Sequence, residues 1–250
     1  MPWRRVEPRP APARPGPTAP PVVLVAAAGT AASTWAPLLP ALTARTRVIA
    51  HDRPGLGTRP PAPGPTLAGS VADLAALLDS AGPGPYVLVG HSWGGLLVQV
   101  LARQQPERVA GPVLLDPAHE EFRPPLVRAS DAVSGALLVL RRAPGARTVR
   151  AEYGLAARHA AELRRLRATR ALPDVPVTVL SASRGLPRRL RTRWTRLQAG
   201  IAAGPTSGRH AVVPGAGHYL HEDRPEEVAR AVLDVVGRAR AGDAEGPRTP

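Results

Sequence analysis

The sequence predicts an α/β fold, in which a doubly wound, mostly parallel sheet of about six strands has helices on both faces and carries a helical lid insertion. Apolar runs such as 22–27 and 86–89 have the length of buried parallel strands. They alternate with segments of helical spacing, and this alternation is typical of parallel sheets covered by helices. The 250 residues, 44% of them hydrophobic, suit one such domain better than two.

The predicted elements follow one another in a regular order. We expect strands at 22–27, 47–51, 86–89, 175–180 and 210–213, a further strand that ends with 113–115, and helices at 36–44, 67–79 and 92–104. A last helix is predicted from a capping box that Asp223 and Glu226 would form. Its apolar stripe stops at Gly237, where we expect the helix to end.

Composition separates the core from two tails. Residues 1–21 are dense in Pro and Arg, and we expect an irregular tail there. The core is predicted at 22–116 and 175–237. Residues 238–250 are expected to form a flexible tail.

Residues 117–174 interrupt the alternation with helical, Arg-rich sequence, and we interpret them as a lid. The segment starts at the carboxyl end of a predicted strand, which is the sheet edge where open α/β folds bind ligands. Its apolar residues, including Leu137 and Leu140, either bury the lid against the body or line a pocket for an acyl group. The second interpretation predicts a small, mostly apolar substrate.

Composition also excludes some classes of protein and of site. There is no cysteine for disulfides or thiolate metal sites, and no apolar run of about 18 residues for a membrane span. The N-terminus lacks the apolar stretch of a secretory signal, and we expect a cytoplasmic protein.

The formal net charge of +14 comes from arginine alone among the basic residues, since lysine is absent. One cluster without acidic residues consists of Arg184, Arg188, Arg189, Arg191, Arg193 and Arg196. No nucleic-acid-binding motif accompanies the cluster, so we interpret it as solvated surface. A small molecule, and not nucleic acid or a membrane, is the expected partner.

The sharpest motif is Gly-His-Ser-Trp-Gly-Gly at 90–95. It follows an apolar strand and precedes a helical run, which is the context that a G-x-S-x-G nucleophile requires. A serine on such a tight turn exposes its hydroxyl, and the flanking glycines allow other backbone segments to approach closely. Ser92 is therefore the predicted nucleophile.

A serine hydroxyl needs a base to activate it. The best candidate is His218, because it lies on a glycine-rich loop between the last predicted strand and the last predicted helix. His221, three residues later, is the main alternative, and the other histidines are weaker rivals: His51, His91, His119, His159 and His210.

These segments resemble the α/β-hydrolase family over about 21–237. The matching segments are 35–37, 52–57, 90–95, 113–117, 217–221 and 224–226. The resemblance implies a serine nucleophile, a histidine base, an acid that orients the histidine, and no cofactor.

Family members carry the acid after either of two strands. The loop 181–185, which follows the later strand, contains no carboxylate. Asp116 ends the earlier strand and is the predicted acid, since a carboxylate there can orient the imidazole and stabilise its charged form. Glu120 and Glu121 are the alternates, and Asp116 would then be a turn or cap residue.

The oxyanion hole needs two backbone N–H donors. We predict one from Trp93, which follows the nucleophile, and the other from Ala28, with Gly29 as the alternative. The family usually has His-Gly in the first turn, whereas this chain has Ala26 and Ala27. A backbone donor does not depend on those side chains.

The combined prediction is a serine hydrolase that cleaves an ester-like bond through an acyl-enzyme, without a metal ion. Dehalogenases and epoxide hydrolases are disfavoured, because the resemblance implies an aspartate nucleophile where this chain has Ser92. The alternative from another class is a ligand-binding protein that keeps the fold but has little turnover. The replaced His-Gly favours that alternative.

Overall fold

The computed structural model describes residues 3–6, 19–61, 65–125, 127, 129, 133 and 146–245, and within these ranges seven strands form one sheet. The strands are β1 (Trp3–Val6), β2 (Val22–Val25), β3 (Val48–His51), β4 (Tyr86–His91), β5 (Val109–Leu115), β6 (Val177–Ala182) and β7 (Gly208–Val213). Their order in the sheet is β1-β3-β2-β4-β5-β6-β7. The neighbours from β3 to β7 pair in parallel, as predicted.

The irregular tail predicted at 1–21 is wrong for residues 3–6. β1 pairs antiparallel with β3, and Trp3 lies opposite His51. The edge of β3 offers unpaired backbone N–H and C=O groups, and pairing with them outweighs the composition of the tail. The stretch 3–6 contains no proline, so each of its residues can donate an N–H group.

Helices cover both faces of the sheet, which confirms the doubly wound prediction. They are α1 (Leu39–Thr43), α2 (Leu67–Ala81), α3 (Trp93–Gln104), α4 (Ala146–Arg158), α5 (Ala160–Thr169), α6 (Arg188–Ala202), α7 (Leu220–Asp223) and α8 (Pro225–Glu245), with 3-10 turns at Ala32–Trp35 and Pro106–Arg108. Alternate residues of β4 serve two cores. Tyr86 and Leu88 pack with α2 and α3, whereas Val87 and Val89 pack with α1 and α8.

The end of the core differs from prediction in two ways. Asp223 ends α7, and its carboxylate accepts a hydrogen bond from the Gly217 N–H at 2.6 Å, so the predicted capping box with Glu226 is wrong. α8 continues through Gly237 to Glu245, so 238–245 is helix and not a flexible tail. A glycine inside a helix costs only about 1 kcal/mol relative to Ala. The Ala and Arg residues that flank Gly237 have high helix propensity, so the helix continues through it.

The segment 117–174 between β5 and β6, hereafter the β5–β6 insertion, carries α4 and α5. Leu137 and Leu140, which the sequence analysis assigned to an apolar lid surface, lie outside the described residues. Among the helices in the described part of the chain, none has both the length and the apolarity that a membrane crossing requires.

Candidate active site

Ser92 lies on the sharp turn between β4 and α3. Its φ is 51° and its ψ is −114°, a left-handed conformation that non-glycine residues rarely adopt. Three backbone hydrogen bonds hold it there: the Ser92 N–H donates to Leu115 O at 3.0 Å, and Ser92 O accepts from Leu96 and Ala118. Such strain persists only where the surroundings fix the backbone, and it is common at functional sites.

Glycines make this turn possible. A Cβ on Gly90 would lie 2.6 Å from Gly95 Cα, and a Cβ on Gly94 would overlap Val25 O. A Cβ on Gly95 would lie 2.7 Å from the Pro117 side chain. The motif is therefore a close crossing of β2, β4, α3 and the residues after β5.

The structure brings His218 and Asp116 together although they are far apart in the chain. His218 Nδ1 donates to Asp116 Oδ2 at 2.7 Å. The Asp116 side chain is 6% exposed and that of His218 is 45% exposed. The carboxylate therefore sits beneath a histidine that solvent and substrate can reach.

The second oxygen of Asp116 has its own partners. Oδ1 accepts from the Trp194 indole at 2.6 Å and from the Ala182 N–H at 3.1 Å. Trp194 lies inside the arginine-rich α6 and was not predicted as a site residue. Its helical spacing with Gln198 and Ile201, both buried, marks an inward face but does not indicate Asp116 as its partner.

The alternative acids are engaged elsewhere or lie outside hydrogen-bonding contact with His218. Glu120 is buried and receives two hydrogen bonds from Arg167, at 2.9 and 3.0 Å. Glu121 is exposed, and its N–H donates to His119 Nδ1. The Asp116 geometry is thus the one that fits the predicted acid.

His221, the alternative base, is fully buried, with Nε2 2.8 Å from Thr34 Oγ1. Burial, together with a smaller contribution from the neighbouring His218, lowers the pKa of His221 to about 4. His221 therefore stays neutral, and it is not the histidine that the Asp116 carboxylate can stabilise in its charged form. It is poorly suited to accept the proton of Ser92.

Two side chains fix the loop that carries His218. His91 Nε2 donates to His218 O at 2.8 Å, and the Asp223 carboxylate holds the Gly217 N–H. Burial lowers the pKa of His91 well below its usual range, so this imidazole is neutral and the Nε2 proton is fixed by the carbonyl. His91 was considered as part of the motif and as a rival base, and the pattern gave no sign of this contact.

All of the predicted site residues line one cavity of about 460 Å³. They are Ser92, His218, Asp116, Ala28 and Trp93. Further lining side chains that the sequence analysis did not assign to the site are Phe122, Val127, Tyr153, Leu186, Trp194 and Tyr219. The β5–β6 insertion therefore contributes to the wall of this cavity. Within the described ranges, there is no group of three His, Asp or Glu side chains arranged to hold a metal ion.

The turn after β2 (residues 26–29, hereafter the oxyanion turn) bears on the predicted donors. The Gly29 N–H donates to Glu152 Oε2 at 2.9 Å, so this amide already has a partner and Ala28 is the better candidate. Arg53 donates to the carbonyls of Ala26 and Ala27. Neither Arg53, which lies in the family-like segment 52–57, nor Glu152 was predicted to have a role at the site.

Several known proteins are similar to this chain in sequence or in structure. Haloalkane dehalogenase 2 of Mycobacterium bovis is 26% identical in an alignment that covers 88% of this chain and 89% of that protein. Lipase LipV of Mycobacterium tuberculosis is 49% identical over 71 residues, but the match covers 28% of this chain and 27% of the lipase.

The structure of a thermophilic esterase from Thermogutta terrifontis superposes with a TM-score of 0.71 at 21% identity, covering 95% of this chain and 93% of that one, and thus shares the fold. The sequence profile described as the alpha/beta hydrolase family matches residues 22–231, most of the chain. The chain therefore belongs to the alpha/beta hydrolase family.

Proposed function

We propose that the protein is a serine hydrolase that cleaves an ester-like bond of a small, mostly apolar substrate through an acyl-enzyme. The observation that carries the proposal is the 2.7 Å contact between His218 Nδ1 and Asp116 Oδ2 in a cavity that Ser92 also lines. This contact directs the other ring nitrogen, Nε2, to proton transfer, which is the arrangement that activates a serine hydroxyl.

In the proposed reaction, Ser92 Oγ attacks the substrate carbonyl while His218 Nε2 takes the hydroxyl proton. The amides of Ala28 and Trp93 donate to the oxygen that becomes negative, and Asp116 stabilises the charged imidazole. Collapse of the tetrahedral intermediate breaks the ester bond, and His218 returns the proton to the leaving alcohol. Water, activated by His218, then attacks the acyl-enzyme and releases the acid and free Ser92.

The proposed substrate class follows from the wall of the cavity. Phe122, Val127, Leu186 and Trp194 supply apolar surface, and a volume of about 460 Å³ is in the range of small-molecule sites. The name of one relative, a lipase, is compatible with an ester. We do not propose dehalogenase chemistry for this chain, because its proposed nucleophile is Ser92.

The test is a panel of 4-nitrophenyl esters from acetate to octanoate, with wild type and Ser92→Ala compared. We expect Ser92→Ala to lower kcat/KM by about 10³-fold or more with unchanged folding, because the side chain projects from a turn and not into a core. A fluorophosphonate probe should label wild type and not the variant. A wild type that hydrolyses no ester and resists the probe would instead support the ligand-binding alternative.

A further inference from the structure

A buried ion pair joins the body of the protein to the β5–β6 insertion. Arg53 follows β3, and Glu152 lies on α4, 99 residues later. Arg53 donates twice to the Glu152 carboxylate, at 2.7 and 3.0 Å, and the two side chains are 3% and 1% exposed. Taking two charges out of water is costly, so such a pair is weak evidence for a purely stabilising role.

The same two side chains hold the peptide units on either side of Ala28. Arg53 donates to Ala27 O at 2.6 Å, and Ala27 O belongs to the peptide unit that carries the Ala28 N–H. A trans peptide is planar, with its C=O and N–H pointing in opposite directions. Fixing the Ala27 carbonyl therefore fixes the direction of the Ala28 N–H, and the charged donor also polarises this amide.

Glu152 fixes the next peptide unit, because its Oε2 accepts from the Gly29 N–H at 2.9 Å. Arg53 reaches one carbonyl further back and donates to Ala26 O at 2.7 Å. Three consecutive peptide units of the oxyanion turn are thus oriented by one ion pair. An oxyanion donor works only if its direction is set before the reaction begins.

The position of Glu152 depends on the packing of α4 against glycines. Gly29 has φ 69°, and a Cβ there would lie 2.7 Å from Val149 Cγ1. Gly55 has φ 81°, and a Cβ there would overlap Thr148 Oγ1. Because Gly29 and Gly55 have no side chains, the start of α4 packs directly on them. One helical turn later, Glu152 meets Arg53.

We propose that Arg53 and Glu152 are positioning residues for the Ala28 oxyanion donor, so that turnover requires α4 of the β5–β6 insertion to be packed on the oxyanion turn. The inference rests on the proposed function. It predicts that the pair acts on the transition state, where negative charge develops on the carbonyl oxygen, more than on binding of the neutral ester.

The experiment compares Glu152→Gln with a matched control, Glu120→Gln. Glu120 forms a similar buried, bidentate pair with Arg167 of α5, yet it contacts neither the oxyanion turn nor His218 in the described structure. Both substitutions remove one buried carboxylate charge that faces an arginine. Each variant is assayed well below its own Tm for kcat, KM and the Kd of phenylboronic acid, whose tetrahedral adduct with Ser92 carries negative charge toward the oxyanion hole.

We expect Glu152→Gln to lower kcat by about 10- to 100-fold, with KM little changed and boronate binding weakened in parallel. Removal of one oxyanion donor costs about 10²- to 10³-fold in kcat, and a donor that is misoriented but still present should cost less. Glu120→Gln should lower Tm while it keeps kcat within about twofold of wild type. Wild-type kcat in Glu152→Gln, or equal losses of kcat in both variants, would overturn the positioning role.

A double variant, Arg53→Met with Glu152→Met, separates positioning from stability. The double variant leaves no unpaired buried charge, unlike Glu152→Gln, so we expect its Tm to rise above that of Glu152→Gln while kcat stays low. Recovery of both would show a structural role only. An inert wild type would overturn the proposed function together with this inference, whereas an inert Ser92→Ala beside a fully active Glu152→Gln would overturn the inference alone.

Discussion

Asp116 divides its two carboxylate oxygens between two tasks. Oδ2 accepts from His218, and Oδ1 is held by Trp194 and by the Ala182 amide. The three hydrogen bonds leave the carboxylate little freedom to rotate, so His218 is oriented by a group that is itself oriented. Asp116 also has φ 43°, which indicates that the backbone is constrained here as it is at Ser92.

We expect Asp116→Asn to lower kcat by about 10³- to 10⁴-fold, because an amide cannot stabilise the imidazolium and can hold the wrong tautomer of His218. Steady-state kinetics on the preferred 4-nitrophenyl ester measure the loss. Glu121→Gln serves as the control and should retain wild-type kcat, since its side chain is exposed. A dead Glu121→Gln beside an active Asp116→Asn would reassign the acid.

At the same scale, the sequence predicted Ser92, His218 and Asp116 but not the residues that orient them. Trp194 lies 78 residues from Asp116 in the chain, and Arg53 lies 99 residues from Glu152. Helical spacing shows that a side chain faces inward, but it does not identify its partner across the fold. In this chain the abundance of arginine also hides Arg53, whose buried guanidinium makes four hydrogen bonds beside the site.

Among the elements, the predictable ones are those whose local pattern and tertiary role agree. β4, the Ser92 turn and α3 were predicted within one or two residues, because the apolar strand, the glycines and the helical run all indicate one geometry. β1 and the end of α8 were not predicted. β1 forms because the edge of β3 is open, which the local sequence does not reveal. α8 continues past Gly237, although the apolar stripe that marked the helix stops there.

Gly237 offers a stabilising substitution within α8. A Cβ at this position would have no heavy atom within 4 Å, so Gly237→Ala should add no clash and should raise the free energy of unfolding by about 0.5–1 kcal/mol. The expected rise in Tm is about 2 °C, measurable by calorimetry. Gly90→Ala is the opposing control and should lower Tm, because its Cβ would meet the backbone of Gly95. A lower Tm for Gly237→Ala would contradict the helical geometry there.

For the molecule as a whole, buried histidines predict how stability changes with pH. Burial lowers the pKa of His51 to about 4 and that of His221 to about 4, from 6.5. The unfolded chain therefore binds more protons than the folded one between pH 6.5 and about 4. Stability must fall as the pH falls through this window.

Urea unfolding at pH 7.5 and pH 5 tests this expectation. Each of the two histidines should cost about 2 kcal/mol between these pH values. Replacement of His51 by Gln should remove roughly half of the pH dependence that the pair produces. A free energy of unfolding that is unchanged from pH 7.5 to pH 5 would contradict the burial of both imidazoles in neutral form.

Some of the arginines form hydrogen bonds within the molecule and are not simply solvated. In the cluster on and before α6, Arg191 donates to Ser183 O and Arg193 donates to Glu121 O. These two guanidinium groups connect α6 to the loop after β6 and to the β5–β6 insertion. The cluster, interpreted from the sequence as solvated surface, thus includes members that tie structural segments together.

The short strand β1 has a consequence for association between molecules. By pairing with β3, it covers backbone groups that could otherwise template a strand from another copy of the protein. At the opposite end of the described sheet, β7 carries Arg209, whose side chain is 63% exposed beside Asp234. β1 is itself the edge strand, but it is only four residues long and carries Arg4 and Arg5. One edge is therefore short and charged and the other is charged, and these features oppose edge-to-edge aggregation. A chain shortened to begin at β2 would keep every proposed catalytic residue and lose the first of these protections.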